Sequence, residues 1–258
     1  MNSNNRRNWS RQETILAFDL YVRTPFGKID DSNEEIKALA KLINRTPSAV
    51  ALKMSNLAHF DPALRSRNVS GMSHTSKLDS EIFNEFCKNL GELKRQAIMI
   101  KDSLGCSGTI EDEIRNVTVI PGETKEQMVR RRIGQSAFRM AVLNAYENRC
   151  CVTGLYLPKL LIASHIKPWA VSDDATEKTN PCNGLCLNAF HDRAFDQGYI
   201  TISKDYTLII SPQLKDAEMD DGLKKWINEY NQKEIMLPNH FHPAKEFIEY
   251  HNDVVFLR

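Results

Sequence analysis

Two short stretches of the chain contain the residues best suited to chemistry. Residues 161–169 read LIASHIKPW and residues 183–196 read NGLCLNAFHDRAFD, and together they hold His165, Asn183 and His191. A neutral imidazole can take a proton from water, because its unperturbed pKa lies close to neutrality. A second imidazole can bind a divalent cation that stabilises the leaving oxygen of a phosphodiester. The pattern favours metal-dependent phosphodiester hydrolysis, although a histidine considered alone is more often structural.

The elements that must position these residues follow from the surrounding pattern. Residues 150–169 predict two short strands with a turn at Thr153–Gly154, and the second strand carries His165. From about Gly184 the spacing is that of a short helix, which carries His191, and another strand follows. Two strands, a loop and a helix would place the two histidines on opposite walls of a cleft.

The same segment resembles the HNH nuclease family. SHIKPW and NGLCLNAFHDRAFDQGYITI are similar to a branch of that family that reads roughly A-H-I-x-P-W, N-G-L-x-L and H-x-x-F-D-x-G. The preceding RRRIGQSAFRMAVLNAYENRCCVTG resembles the lead-in of restriction-type members. The resemblance covers residues 125–205 closely and residues 237–256 more loosely. It implies a ββα-metal domain that hydrolyses phosphodiester bonds of DNA.

The resemblance also implies roles for individual residues. His165 matches the general base that activates water, and Asn183 matches the residue that braces the loop beside that base. His191 matches a ligand of the catalytic metal, which in this family is commonly Mg²⁺, with Mn²⁺ as a substitute. We therefore expect a divalent cation as the cofactor and a site in which one histidine reacts while the other binds the metal.

Two departures from the family pattern concern metals. Ser164 stands where many members have an acidic ligand, which leaves Asp196 as the predicted second ligand and Asp192 as the alternative. The paired C-x-x-C frame that binds zinc in other branches is broken, so we expect no structural zinc. Four nearby cysteines keep that alternative open: Cys150, Cys151, Cys182 and Cys186.

Basic and amide side chains around the motif are candidates for contact with DNA. The stretch KEQMVRRRIGQSAFR places several arginines on a predicted helix at 126–147. Such a face is usually solvated, but beside a nuclease core phosphate contact becomes the favoured interpretation. The predicted contacts here are Arg130, Arg131, Arg132, Gln135, Arg139 and Arg193. The alternatives are that Gln135 and Arg139 brace the active-site loop and that Arg193 faces solvent.

The N-terminal portion predicts a helical module. Residues 10–22 form a helix with a capping box at Ser10 and Glu13, and two further helices follow, NEEIKALAKLI and PSAVALKMSNLAHF. A helix, a tight turn and a helix are typical of a helix-turn-helix, whose second helix would present Ser48, Lys53 and Asn56 to DNA. The alternative is a small helical bundle with no role in binding.

The helical pattern of the N-terminal portion and the family resemblance together imply an α+β protein: a helical, helix-turn-helix-like N-terminal domain, then a C-terminal ββα-metal HNH nuclease domain. We predict a helical DNA-binding domain at 1–75, a helical connector at 76–124 and the nuclease domain at 125–258.

Lys and Arg outnumber Asp and Glu by 11 to 7 in residues 1–75, which weakly favours a polyanionic partner. Hydrophobic residues make up 41% of the chain, with no apolar run long enough for a membrane span.

The expected partner is double-stranded DNA, with no membrane and with a homodimer as a further expectation, since cutting both strands needs two sites. Six cysteines are too sparse for a disulfide framework, so a cytoplasmic location is expected. We predict a restriction-type endonuclease, with dependence on modified bases left open. Two alternatives remain at this point: a homing or nicking HNH nuclease, and a catalytically silent DNA-binding regulator.

Overall fold

The computed structural model describes residues 7–66, 75–106 and 124–258. The α-helices of these residues are α1 Arg11–Arg23, α2 Glu34–Leu42, α3 Pro47–Ala58, α4 Pro62–Ser66, α5 Lys77–Phe86, α6 Leu90–Ser103, α7 Lys125–Ala145, α8 Ala189–Asp196, α9 Pro212–Lys215, α10 Asp221–Glu229 and α11 Lys245–Tyr250. The strands are β1 Leu161–His165, β2 Gly184–Asn188, β3 Ile200–Ile202 and β4 Leu208–Ile210. None of the described helices is both long and apolar enough to cross a membrane. Helices followed by small sheets give the α+β fold that the sequence predicts.

These residues form two compact units. The first contains the residues up to Cys87 together with Glu92–Ile133, and the second contains Lys88–Gly91 together with Gly134–Arg258. α5, near the start of the segment predicted as a connector, packs against α1 and α3 inside the first unit. The division into three domains stays a prediction. In the structure α5 is not part of a separate connector, because it buries an apolar stripe within the first unit. Residues 107–123 of that connector lie outside the described residues.

Helix ends in the first unit follow the predicted chemistry. The capping box at Ser10 is confirmed: the Glu13 amide donates to the Ser10 hydroxyl at 3.2 Å, and the Ser10 amide donates to the Glu13 carboxylate at 2.9 Å. Thr46 caps α3, and Pro47 occupies its first turn. α2 and α3 contact each other and both contact α1, so the predicted pair of helices joined by a tight turn is present. Its role in binding DNA stays a prediction.

The predicted outward orientation of Lys53 is wrong. Its side chain is 5% exposed, and its ammonium group lies 2.5 Å from the Asp79 carboxylate, which is 1% exposed. The same ammonium lies 4.8 Å from the centre of the Trp9 ring. A buried cation needs a partner charge because transfer from water is costly. Lys53 therefore joins α3 to α5 and is not available to DNA.

We expect Lys53→Met to lower the free energy of unfolding by about 3–5 kcal/mol, because it leaves the buried Asp79 carboxylate without its cation. Urea denaturation measures the loss. The double variant Lys53→Met/Asp79→Leu should recover part of it, since the uncompensated charge is then gone. If Lys53→Met were as stable as the wild type but bound DNA more weakly, Lys53 would be a DNA contact after all.

The second unit is built on an antiparallel hairpin. β1 pairs with β2 in a register that sets His165 opposite Gly184 and Ser164 opposite Leu185. The predicted turn at Gly154 forms, with a φ of 71°, but the predicted strand before it does not. The predicted helix from Gly184 is instead β2 followed by α8. All five residues of β2 are buried, so its sequence lacks the alternation by which a half-exposed strand is recognised.

An apolar core lies beneath this hairpin. α7, β1, β2, α8 and the second pair of strands all contribute buried side chains to it. Its members include Phe138, Val142, Leu161, Leu185, Leu187, Phe195, Ile200, Leu208, Phe247 and Ile248. β1 and α8 are fixed against the same core, so the side chains at the end of β1 and along α8 are held by rigid elements rather than by loops.

Candidate active site

The loop between β1 and β2 is closed by Asn183, which is fully buried. Its side-chain oxygen accepts from the Lys167 amide at 2.8 Å, and its side-chain nitrogen lies 3.2 Å from the Lys167 carbonyl and 3.3 Å from the Glu177 carbonyl. One amide side chain thus ties both halves of the loop together. These are the bonds expected of a brace.

His165 is half-buried at the end of β1 and its ring is fixed on three sides. The ring stacks on Phe138 with centroids 3.9 Å apart, and Trp169 meets it edge-on at 5.4 Å. Its Nε2 atom lies 2.9 Å from the Lys178 carbonyl oxygen. A carbonyl can only accept, so Nε2 carries the proton and the neutral ring keeps its lone pair on Nδ1. Burial lowers the pKa of His165, and the Lys178 carbonyl partly opposes this shift.

A cleft of about 230 Å³ opens beside this ring. His165 and Trp169 line it together with Gln135 and Arg139 from α7. The Arg139 guanidinium donates one hydrogen bond to the Leu161 carbonyl at 2.9 Å, which holds this cation next to β1. The cleft thus combines a proton acceptor with a fixed cation, a pairing suited to an anionic substrate.

Two carboxylates, Asp192 and Asp196, lie four residues apart on α8 and therefore on one face of the helix. Partial burial raises the pKa of both groups, and the charge of Asp192 raises that of Asp196 further. The buried Ser164 hydroxyl lies near Asp192 and opposes part of its shift, yet it has no hydrogen bond of standard geometry among the described residues. Two mutually repelling carboxylates beside an unsatisfied hydroxyl are chemically suited to a cation.

His191 lies on a different face of α8. It is 3% exposed, and its backbone amide and its Nδ1 atom lie 2.9 and 3.1 Å from the side-chain oxygen of Asn188. Trp226 and Tyr230 pack around its ring, with centroids at 5.2 and 6.0 Å. Burial lowers the pKa of His191 to about 4. The structure thus does not bring His191 and Asp196, predicted as joint metal ligands, to one face.

One segment of the chain is similar to a known protein family. Residues 150–203, which include β1, the braced loop, β2 and α8, match the family described as HNH endonuclease. This segment is therefore similar to an HNH endonuclease domain. Among solved structures, a modification-dependent TagI restriction endonuclease is similar at 18% identity and a TM-score of 0.31, over 44% of this chain and 35% of that one. The chain thus spans about a third of that protein. No match was found among curated proteins.

The spacing of the motif in this segment favours Asp192, whereas the order of the histidines favours His191. In H-x-x-F-D the histidine stands three residues before the phenylalanine. Counting back from Phe195–Asp196 reaches Asp192, whereas His191 is one residue earlier. A shift of one residue on a helix turns the side chain by about 100°. Asp192 thus stands at the histidine position of the motif and lies on the same face of α8 as Asp196.

The remaining predicted DNA contacts differ in accessibility. Arg130, Arg132, Gln135, Arg139 and Arg193 are exposed, while Arg131 and Asn56 are half-buried. Arg193 lies near both carboxylates of the pair on α8 and lowers the pKa of each. The exposed side chains can reach a DNA phosphate without rearrangement of the core.

No group of three or more His, Cys, Asp or Glu side chains is arranged to hold a metal in the part of the chain that the structure describes. The pair of carboxylates on α8 is a smaller set than this. Magnesium is commonly bound through one or two carboxylates, with water and substrate phosphates completing its shell. A pair of carboxylates therefore suffices for an ion that also binds the substrate.

Gly184 gives Phe138 the room to stack on His165. A Cβ atom at this position would lie 2.4 Å from Val142 Cγ2 and 2.9 Å from Phe138 Cζ. We expect Gly184→Ala to cost about 1–3 kcal/mol of stability through overpacking and to slow DNA cleavage by displacing the ring beneath His165. Thermal unfolding and cleavage rates measure the two effects.

Gly27→Ala is the matched control, since a Cβ atom there meets nothing within 4 Å. Adding Val142→Ala to Gly184→Ala should restore part of the stability by making room for the methyl group. A Gly184→Ala variant with unchanged stability and cleavage would show that the contact with Phe138 does not hold His165 in place.

Proposed function

We propose that the protein is a metal-dependent DNA endonuclease, with a restriction-type role as the best fit. The observation that carries this proposal is the state of His165 within the HNH domain. Its Nε2 atom is bound to a carbonyl 2.9 Å away, and its ring lines an open cleft that also contains Arg139. A fixed imidazole with a free lone pair next to a cation is what hydrolysis of a phosphodiester by activated water requires.

In the proposed mechanism Nδ1 of His165 takes a proton from the attacking water. The ring must be neutral to do so, and its burial favours the neutral form. Phe138 and the Lys178 carbonyl hold the ring so that the lone pair keeps one direction. Asn183 acts at a distance from the reaction by holding the loop that provides this carbonyl.

Asp192 and Asp196 are the residues that we propose to hold the metal. Their charges repel each other across one face of α8, and the buried Ser164 hydroxyl lies beside Asp192. A divalent cation bound there, Mg²⁺ or Mn²⁺, would stabilise the leaving oxygen of the phosphodiester. His191 instead supports α8 from the aromatic side, through its contacts with Asn188 and Trp226.

The proposed DNA contacts are the exposed side chains of α7 and α8. Arg139 and Gln135 lie in the cleft, where they would meet the phosphate next to the scissile bond. Arg130 and Arg132 would meet the backbone further along the duplex, and Arg193 would do so at α8. Such contacts position a protein without reading sequence. The pair α2 and α3 remains the proposed helix-turn-helix, with Ser48 and Asn56 but without Lys53.

One experiment tests the proposal. Unmodified and cytosine-modified plasmids are incubated with the protein in Mg²⁺, Mn²⁺ or EDTA, and nicked, linear and intact forms are separated. We expect cleavage with either cation and none in EDTA. Linear product would support paired sites, as in a homodimer, whereas nicked product alone would support a nicking enzyme. DNA binding without cleavage of any plasmid would overturn the proposal in favour of a silent regulator.

A further inference from the structure

We propose that Thr179 is a positioning residue for His165, because it fixes the neighbouring Lys178 carbonyl against Asn89 and Gly91. This inference rests on the proposed role of His165 as the base. Lys178 and Thr179 lie in the loop between β1 and β2, whereas Asn89 and Gly91 precede the HNH segment by about sixty residues. The site is thus completed by residues from outside that segment.

The peptide bond between Lys178 and Thr179 links Thr179 to His165. The Lys178 carbonyl accepts from Nε2 of His165 at 2.9 Å. A peptide unit is planar, so the direction of this carbonyl is set by the same plane that contains the Thr179 amide nitrogen. Thr179 is 6% exposed and cannot move without disturbing its neighbours. Fixing Thr179 therefore fixes the atom that orients the base.

The Thr179 hydroxyl both accepts and donates a hydrogen bond. It accepts from the Gly91 amide at 3.1 Å and donates to the Asn89 side-chain oxygen at 3.3 Å. The Gly91 amide belongs to the first turn of α6, where helix amides have no partner within the helix. The hydroxyl thus satisfies a backbone group that would otherwise be unpaired.

The Thr179 methyl group fits between two glycines. A Cβ atom at Gly134 would lie 3.0 Å from this methyl, and one at Gly91 would lie 3.2 Å from it. Both distances are shorter than ordinary contacts between carbon atoms. The methyl therefore occupies a socket that only glycine leaves open, and the hydroxyl and the methyl together define one position for Thr179.

Other bonds hold the loop without reaching these upstream residues. Asn183 joins Lys167 to Glu177, and the Lys167 ammonium lies 2.5 Å from the Glu177 carboxylate. These bonds lie inside the HNH segment and set the shape of the loop. The contacts of Thr179 set where the loop sits relative to Asn89 and Gly91, which is a separate requirement for the Lys178 carbonyl.

The test compares Thr179→Val, which keeps the methyl and loses the hydroxyl, with Thr179→Ser, which keeps the hydroxyl. We expect Thr179→Val to lower the single-turnover cleavage rate by about 10- to 100-fold, as small misplacements of a reacting group do, with DNA affinity within about twofold. Imidazole NMR should show Nε2–H in the wild type and a mixture of tautomers in Thr179→Val. Thr179→Ser, which loses only the methyl, should lie between the wild type and Thr179→Val in both measurements.

Thr176→Val is the matched control in the same loop, because its hydroxyl donates to Asp173 at 2.7 Å and not to the upstream residues. It should cleave at the wild-type rate, and thermal unfolding should show that all variants are folded. An unchanged His165 tautomer and pKa in Thr179→Val would overturn the inference, as would an equal loss of rate in Thr176→Val. The NMR titration needs no substrate, so it separates this inference from a wild type that fails to cleave.

Discussion

His165→Ala is expected to lower the single-turnover rate of DNA cleavage by about 10²- to 10⁴-fold, the usual contribution of a general base. DNA affinity should stay within about twofold, because His165 faces water and not the bases in the proposed mechanism. The wild-type rate should rise with pH and level off above the pKa of His165. Burial lowers that pKa from 6.5, so the midpoint of the acid limb should lie below pH 6.5. In His165→Ala this limb should disappear.

His242→Ala is the matched control for this substitution. His242 belongs to the same unit, is half-buried and also lies near a carbonyl, with Nε2 3.1 Å from the Pro238 oxygen. It does not line the cleft that contains His165. We expect His242→Ala to keep the wild-type rate and acid limb. Full activity of His165→Ala, or an acid limb that survives in it, would show that another group activates the water.

The contacts that were predicted correctly join residues that lie close together in the sequence. Ser10 caps the helix that begins at the next residue, and Asn183 closes a loop whose start lies 16 residues away. In both cases the local pattern contains the donor and the acceptor. The placement of His165 on a strand was predictable for the same reason, since β1 lies within the motif, and its role as the base stays a prediction.

The predictions that failed depend on partners that no local pattern contains. Lys53 has its counter-ion 26 residues later, at Asp79, so its place on α3 alone indicated an exposed cation. β2 is buried on both faces, which removes the alternation that distinguishes a strand from a short buried helix. On α8 a difference of one residue separates the aromatic face from the carboxylate face. Whether His191 or Asp192 binds the metal stays a prediction.

That distinction leads to the second large effect, the loss of metal-dependent cleavage in Asp192→Asn and Asp196→Asn. Each substitution removes a charged ligand and should lower the rate by about a thousandfold or more, because a bound cation contributes several kcal/mol to the transition state. Mg²⁺ should raise the unfolding temperature of the wild type, since an ion that binds only the folded state stabilises it. The two Asn variants should show little or no such rise. Calorimetric titration with Mn²⁺ provides an independent measure of binding.

His191→Leu separates the two assignments of the metal ligand. Leucine fits among Trp226 and Tyr230 but cannot bind a cation, so the variant should be less stable and should still respond to Mg²⁺. If the carboxylates of α8 hold the metal, the response is lost in Asp192→Asn and kept in His191→Leu. The opposite result would return the metal to His191, as the order of the histidines first suggested.

When no metal is bound, we expect the charge of Asp196 to destabilise the folded protein at neutral pH. The folded pKa of Asp196 is raised above 3.8, so its contribution to stability is fully present below pH 3.8 and is lost as pH rises through the folded pKa. At neutral pH without metal, Asp196→Asn should therefore unfold at a higher temperature than the wild type, and the difference should shrink as pH falls toward 3.8. If Asp196→Asn is more stable and less active than the wild type, the repulsion between the two carboxylates costs stability and serves to bind a cation.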